Sequence, residues 1–162
     1  MVKYCSTAIT FAEVPDEISL SIQITNCQNR CEGCHSPFLR NDFGLNLMED
    51  LSDLILKYKD QITCVCFMGE GKDKCALQSC LDIVKSYGLK TCVYSGGKNR
   101  GIPYRNLDYF KVGPYEADKG GLNCKTTNQR MYKIINSPHG GIRIEDITYK
   151  FWPRELEEED EN

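Results

Sequence analysis

Three cysteines stand close together in the segment Cys27-Gln28-Asn29-Arg30-Cys31-Glu32-Gly33-Cys34-His35-Ser36, a C-x3-C-x2-C spacing. Thiolates this near one another can close around a cubane iron–sulfur cluster, and three of them ligate three of its four irons. The iron left without a protein ligand is a Lewis acid open to a small molecule. Structural zinc is the competing chemistry, but it wants four donors, commonly two pairs separated by a longer loop. No matching second pair exists: Cys64-x-Cys66 falls in a run that reads as a buried strand. His35 is a conceivable fourth donor, awkwardly placed beside Cys34. Three idle thiols are the third reading. The spacing favours an open-site [4Fe–4S] cluster on Cys27, Cys31 and Cys34.

Two glycine-rich turns and one polar segment are the other features able to do chemistry. Gly69-Glu70-Gly71 and Ser95-Gly96-Gly97 each follow a short apolar run, where a glycine lets backbone approach a ligand or adopt φ > 0. Taken alone, each is more simply a turn, and Asn128-Gln129-Arg130 a polar loop. Cys5, Cys64, Cys66, Cys75, Cys80, Cys92 and Cys124 fall mostly in expected strands and helices, where cysteine behaves as a small apolar residue. His139 reads as a surface turn residue, and no side chain is assigned as an acid–base catalyst.

The elements that must position these groups follow from periodicity. Residues 4–11 and 17–25 read as two strands around a turn at Val14-Pro15-Asp16, the second alternating through Ile18, Leu20, Ile22 and Ile24. That strand runs directly into the cysteine loop. Residues 46–60 carry Leu47, Leu51, Leu54, Ile55 and Tyr58 on one helical stripe. The run 62–68 is continuously apolar, as a strand buried on both faces would be. A second helix over 73–87 buries Leu77, Cys80, Leu81 and Val84, with Gly88 as its C-terminal cap. Strands are expected again at 89–95 and 107–113, with further ones at 131–136 and 142–149. The alternation of strand and helix predicts a parallel sheet with right-handed crossovers, and a ligand site beyond the carboxyl ends of its strands.

Composition sets the bounds. At 162 residues, with 41% hydrophobic and 27% charged residues, the chain suits one globular domain with a core of its own. A net charge of −3 gives no basic field for nucleic acid or anionic lipid. Ten cysteines without an export signal or a long apolar run point to a reducing, cytoplasmic setting and to metal binding rather than disulfides.

The cysteine segment resembles the cluster loop of the radical S-adenosylmethionine enzymes. Gly33 before the third cysteine and the ring of His35 after it look like the subgroup that activates glycyl radical enzymes. The stretches GGLNCKTTNQRMY (120–132) and LDYFKVGPYE (107–116) are similar to the activating proteins of anaerobic ribonucleoside-triphosphate reductase. The likeness covers roughly residues 18–135. Activators of the pyruvate formate-lyase type share the loop and rank second; a zinc-stabilised binding module is the alternative from another class.

The resemblance implies a small α/β fold, an incomplete parallel β/α barrel of the radical SAM type over 1–153, open on one side to a protein substrate. Residues 154–162 are expected to form an acidic, disordered tail. It implies an enzyme that reductively cleaves S-adenosylmethionine and generates a glycyl radical on the reductase, with an electron donor such as flavodoxin or ferredoxin. Cys27, Cys31 and Cys34 would hold the cluster; Gly33, Cys34, His35, Gly69, Glu70, Gly71 and Ser95 would face S-adenosylmethionine; Asn128, Gln129 and Arg130 would meet the partner. The family's Gly-Gly-acid-Pro order is altered here, the acid standing between the glycines and Lys72 replacing proline.

Overall fold

Short β-rich runs separated by two amphipathic stretches give a sheet with helices on one side. The computed structural model describes residues 1–99 and 101–154; the acidic segment 155–162, expected as a tail, lies outside the described residues. The strands are β1 (Lys3–Thr10), β2 (Ser19–Ile24), β3 (Leu45–Asn46), β4 (Cys64–Met68), β5 (Lys90–Tyr94), β6 (Tyr109–Val112), β7 (Arg130–Asn136) and β8 (Ile142–Asp146). The helices are α1 (Leu47–Tyr58) and α2 (Lys74–Ser86), with 3-10 turns at Pro37–Arg40 and Thr148–Phe151. The expected strand over 142–149 thus stops at Asp146, where the Asp146 carboxylate accepts from the Thr148 amide and hydroxyl and starts the second 3-10 turn.

The eight strands form one sheet in the order β3-β1-β2-β4-β5-β6-β7-β8. Only β2, β4, β5 and β6 run parallel; β1 and β3 on one side and β7 and β8 on the other are antiparallel. The fully parallel expectation is corrected here, and the reason is local. Parallel neighbours need a long, usually helical crossover. Residues 113–129 have the length, but Pro114, Gly120 and Gly121 break any helix, so the chain doubles back as β7. Tight connections force the same result for β1–β2 and β7–β8. The sheet is open, with β3 and β8 at its two ends rather than paired to each other.

Both helices cover one face. Asn46 Oδ1 caps α1 by accepting from the Met48 amide, and Asp73 Oδ1 caps α2 by accepting from the Ala76 amide. Gly88, just past α2, takes φ +76°, a left-handed position that lets the helix end. Leu47, Leu51 and Ile55 of α1, and Leu77, Cys80, Leu81 and Val84 of α2, pack on Leu20, Ile22, Val65, Phe67, Val93 and Phe110. Truncating a fully buried leucine of this kind to alanine costs about 2–5 kcal/mol. The opposite face carries Cys64, Cys66, Cys92, Tyr109 and Met131 beneath Val14 and Ile147. Cys64, Cys66, Cys80 and Cys92 are all fully buried, as small apolar residues would be. No helix among the described residues is long and apolar enough to cross a membrane.

Candidate functional site

The four parallel strands end at one rim, and the suggestive loops gather there. The cysteine loop leaves β2 at Thr25 and is closed at its base by backbone hydrogen bonds, Asn26 N–H to Asn41 C=O at 3.1 Å and Cys27 N–H to Leu39 C=O at 2.9 Å. The Thr25 hydroxyl donates to the Phe43 carbonyl at 2.6 Å. Within the loop, Cys34 N–H donates to Cys31 C=O at 3.3 Å, and Arg40 Nη2 donates to the same carbonyl at 2.8 Å. All three cysteines are partly exposed and unpaired.

Cys27, Cys31 and Cys34 line one cavity of about 320 Å³ together with Gly69, Glu70 and Gly71 after β4, Gly96 and Gly97 after β5, and Lys111 and Gly113 at the end of β6. Its volume falls in the range of a small-molecule site. Among the described residues, no three His, Cys, Asp or Glu side chains converge closely enough to hold a single metal ion. A cubane asks less of sulfur proximity, because each cysteine binds a different iron. The donor set fits that group: three soft thiols around one cavity, with Arg40, Lys72, Lys74 and Lys111 on its walls against the single carboxylate of Glu70. Arg40 Nε is buried without a hydrogen-bond partner, leaving a cationic donor unused beside the loop.

The glycine turns are locked by side chains. Gly69 and Gly71 take φ +118° and +63°, conformations that favour glycine, and a Cβ at Gly71 would press on Ile24 Cγ2 at 3.2 Å and Thr25 O at 3.3 Å. Glu70 between them is fully engaged: its two carboxylate oxygens accept from Ser95 Oγ and from Tyr104 Oη, both at 2.6 Å. Ser95 Oγ also accepts from the Gly97 amide at 3.1 Å. Ser95 therefore ties the two turns together and is not among the residues lining the cavity. Burial and the bond to Glu70 raise the Tyr104 hydroxyl far above its ordinary range, so it stays a neutral donor.

The remaining expected residues divide. Gly33, at φ +72°, lines an open cleft on the outer side of the loop, and the exposed ring of His35 sits 4.7 Å from the Tyr115 ring instead of in the cavity. Of the polar segment, only Gln129 reaches the cavity wall. Asn128 Nδ2 donates to the Pro114 carbonyl at 3.0 Å, while Arg130 lies in β7 and pairs with Asp146 at 3.7 Å.

On known relatives the comparisons are silent: no family model matches the chain, and no curated protein or solved structure shows significant similarity to it.

Lys111 is the functional candidate that the motif reading missed. It is 8% exposed, and Nζ donates to the carbonyls of Gly113 at 2.9 Å and Ser95 at 3.4 Å. Burial pushes its ammonium down to about 8, against the opposing pull of the thiols of Cys31, Cys92 and Cys27. A signal existed in the sequence, a lysine inside the apolar run 109–112. Arg40 and Tyr104 gave none. The buried thiols are poor ligands by contrast: burial pushes Cys64 and Cys92 well above the ordinary thiol range and Cys80 up to about 11.

Proposed function

We propose that Cys27, Cys31 and Cys34 hold a [4Fe–4S] cluster, and that the chain is a radical S-adenosylmethionine activase of anaerobic ribonucleoside-triphosphate reductase. The observation that carries this reading is the shared cavity, which brings the three cysteines to the glycine turns at the carboxyl ends of the parallel strands. The four parallel strands and two crossover helices are read as a portion of the radical SAM barrel. The chemistry supplied by the bound group would be one-electron cleavage of the sulfonium to methionine and a 5′-deoxyadenosyl radical, which takes a hydrogen atom from a glycine of the reductase.

The chain's own part is to bind and orient. Three thiols would leave one iron of the cluster without a protein ligand, and the Gly69-Glu70-Gly71 turn on the cavity wall would offer backbone polar groups to the amino end of the methionine moiety. Glu70, held by Ser95 and Tyr104, fixes the shape of that turn. The cations on the wall balance thiolate and carboxylate charge in a partly desolvated site. A second hollow on the helix-free face, bordered by Phe11, Tyr94, Leu122 and Trp152, shares Met68 with the cysteine cavity and would admit a partner's loop.

The test is electron paramagnetic resonance of the reduced protein mixed anaerobically with S-adenosylmethionine and the reductase. A doublet that collapses when the reductase carries α-deuterated glycine is expected. A glycyl signal only with a pyruvate formate-lyase-type partner would keep the chemistry and change the substrate; turnover of a small metabolite with no glycyl signal would overturn the activase reading.

A further inference from the structure

Strand β8 is exposed at all five residues, including two isoleucines, Ile142 at 61% and Ile144 at 46%. It is the last strand of the sheet, and among the described residues no strand pairs with its outer edge. Edges are usually blunted by proline, charged side chains (lysine above all), a bulge or a covering loop, but here the charges of Arg143, Glu145 and Asp146 are of both signs. Residues 142–146 hold no proline or lysine, and their register with β7 is unbroken.

In an antiparallel ladder a residue's N–H and C=O point to the same side, and successive residues alternate. Ile134 N–H bonds to Asp108 C=O on the β6 side, so the Ile134–Ile144 pair exchanges no hydrogen bonds. Ile147 N–H bonds to Met131 C=O, and Ser137 N–H to Gly141 C=O, so the odd-numbered residues carry the β7–β8 ladder. Ile142, Ile144 and Asp146 therefore turn their N–H and C=O groups to the free edge.

The strand Ile142-Arg143-Ile144-Glu145-Asp146 is also complementary to itself. Laid antiparallel against a second copy about Ile144, it sets Ile144 against Ile144 in a hydrogen-bonded pair. Arg143 of each copy then faces Glu145 of the other, twice, in the closer non-hydrogen-bonded positions where cross-strand charge pairs act. Glu145 already stands opposite Lys133 of β7, so the contact extends a ladder of alternating charge. Any other register loses this match.

We propose that β8 is a self-pairing edge that joins two copies of this chain in a two-fold antiparallel contact centred on Ile144. The contact uses no residue of the cysteine cavity, so it stands or falls separately from the proposed chemistry. Sedimentation of the full chain, purified without oxygen, should give twice its 18.5 kDa mass. Arg143→Glu sets carboxylates against each other at both ends and should raise the dimer dissociation constant by about tenfold or more. Glu145→Arg should do the same, and the two changes combined should restore the wild-type constant. Ile144→Pro deletes the central edge donor at a position a free edge tolerates, and should give folded monomer. A wild-type chain that stays monomeric at its highest soluble concentration, or a dimer equally tight in Ile144→Pro, would overturn the proposal.

Discussion

Lysine is a costly residue to bury, and Lys111 is kept at the wall of the cysteine cavity by two backbone carbonyls instead of a carboxylate. Its cation is thus left available to whatever negative charge the cavity holds. If that charge is a thiolate-ligated cluster, the lysine favours the reduced, more negative form. Lys111→Met keeps the bulk of the side chain and removes the charge, so the reduction potential should fall, on the order of tens of millivolts. Potentiometric titration of the reconstituted protein checks this; an unchanged or raised potential would contradict it. The three cysteines stood out as candidate ligands because chelation demands short spacing, which a sequence displays directly. Lys111 and Arg40 were harder to find because their role depends on which strands end at the same rim. Ser95 shows the converse: assigned to the ligand by the family resemblance, its hydroxyl donates to the Glu70 carboxylate.

At the scale of elements, the parallel strands are tied at both ends. Their amino ends meet at Glu17, 7% exposed, whose carboxylate accepts from Thr63 Oγ1 at 2.5 Å, Lys90 Nζ at 2.6 Å and Tyr109 Oη at 3.0 Å. Burial raises the Glu17 carboxyl, but these donors outweigh it and hold the group below the usual carboxylate range. A depressed folded value means that the stabilisation is fully present above the unfolded value of about 4.3 and is lost as pH falls through the folded one. Glu17→Gln should therefore cost about 1–3 kcal/mol at neutral pH, and its deficit against the wild type should shrink below about pH 4. Urea unfolding at a series of pH values checks this, and a deficit that stays constant or grows toward pH 3 would contradict it. The helices and central strands were legible from the stripes at Leu47, Leu51 and Ile55 and at Leu77, Leu81 and Val84. The β1–β2 hairpin was implied by its turn, but the antiparallel β6–β7 pairing was not legible, because the direction of β7 depends on the absence of a crossover helix over 113–129.

For the whole molecule, an open mixed sheet puts a stabilising network at one rim and the cysteine-lined cavity at the other, with the helices confined to one face. That division of labour depends on Cys27, Cys31 and Cys34 being the ligands while the buried thiols remain packing residues. Iron, sulfide and the visible absorption spectrum should be measured after anaerobic reconstitution of the wild type and of single alanine variants at all ten cysteines. About four irons and four sulfides per chain are expected, with broad absorption near 400 nm, lost only on substitution of Cys27, Cys31 or Cys34. A cluster that survives Cys31→Ala, or a colourless wild type that binds one zinc, would contradict it.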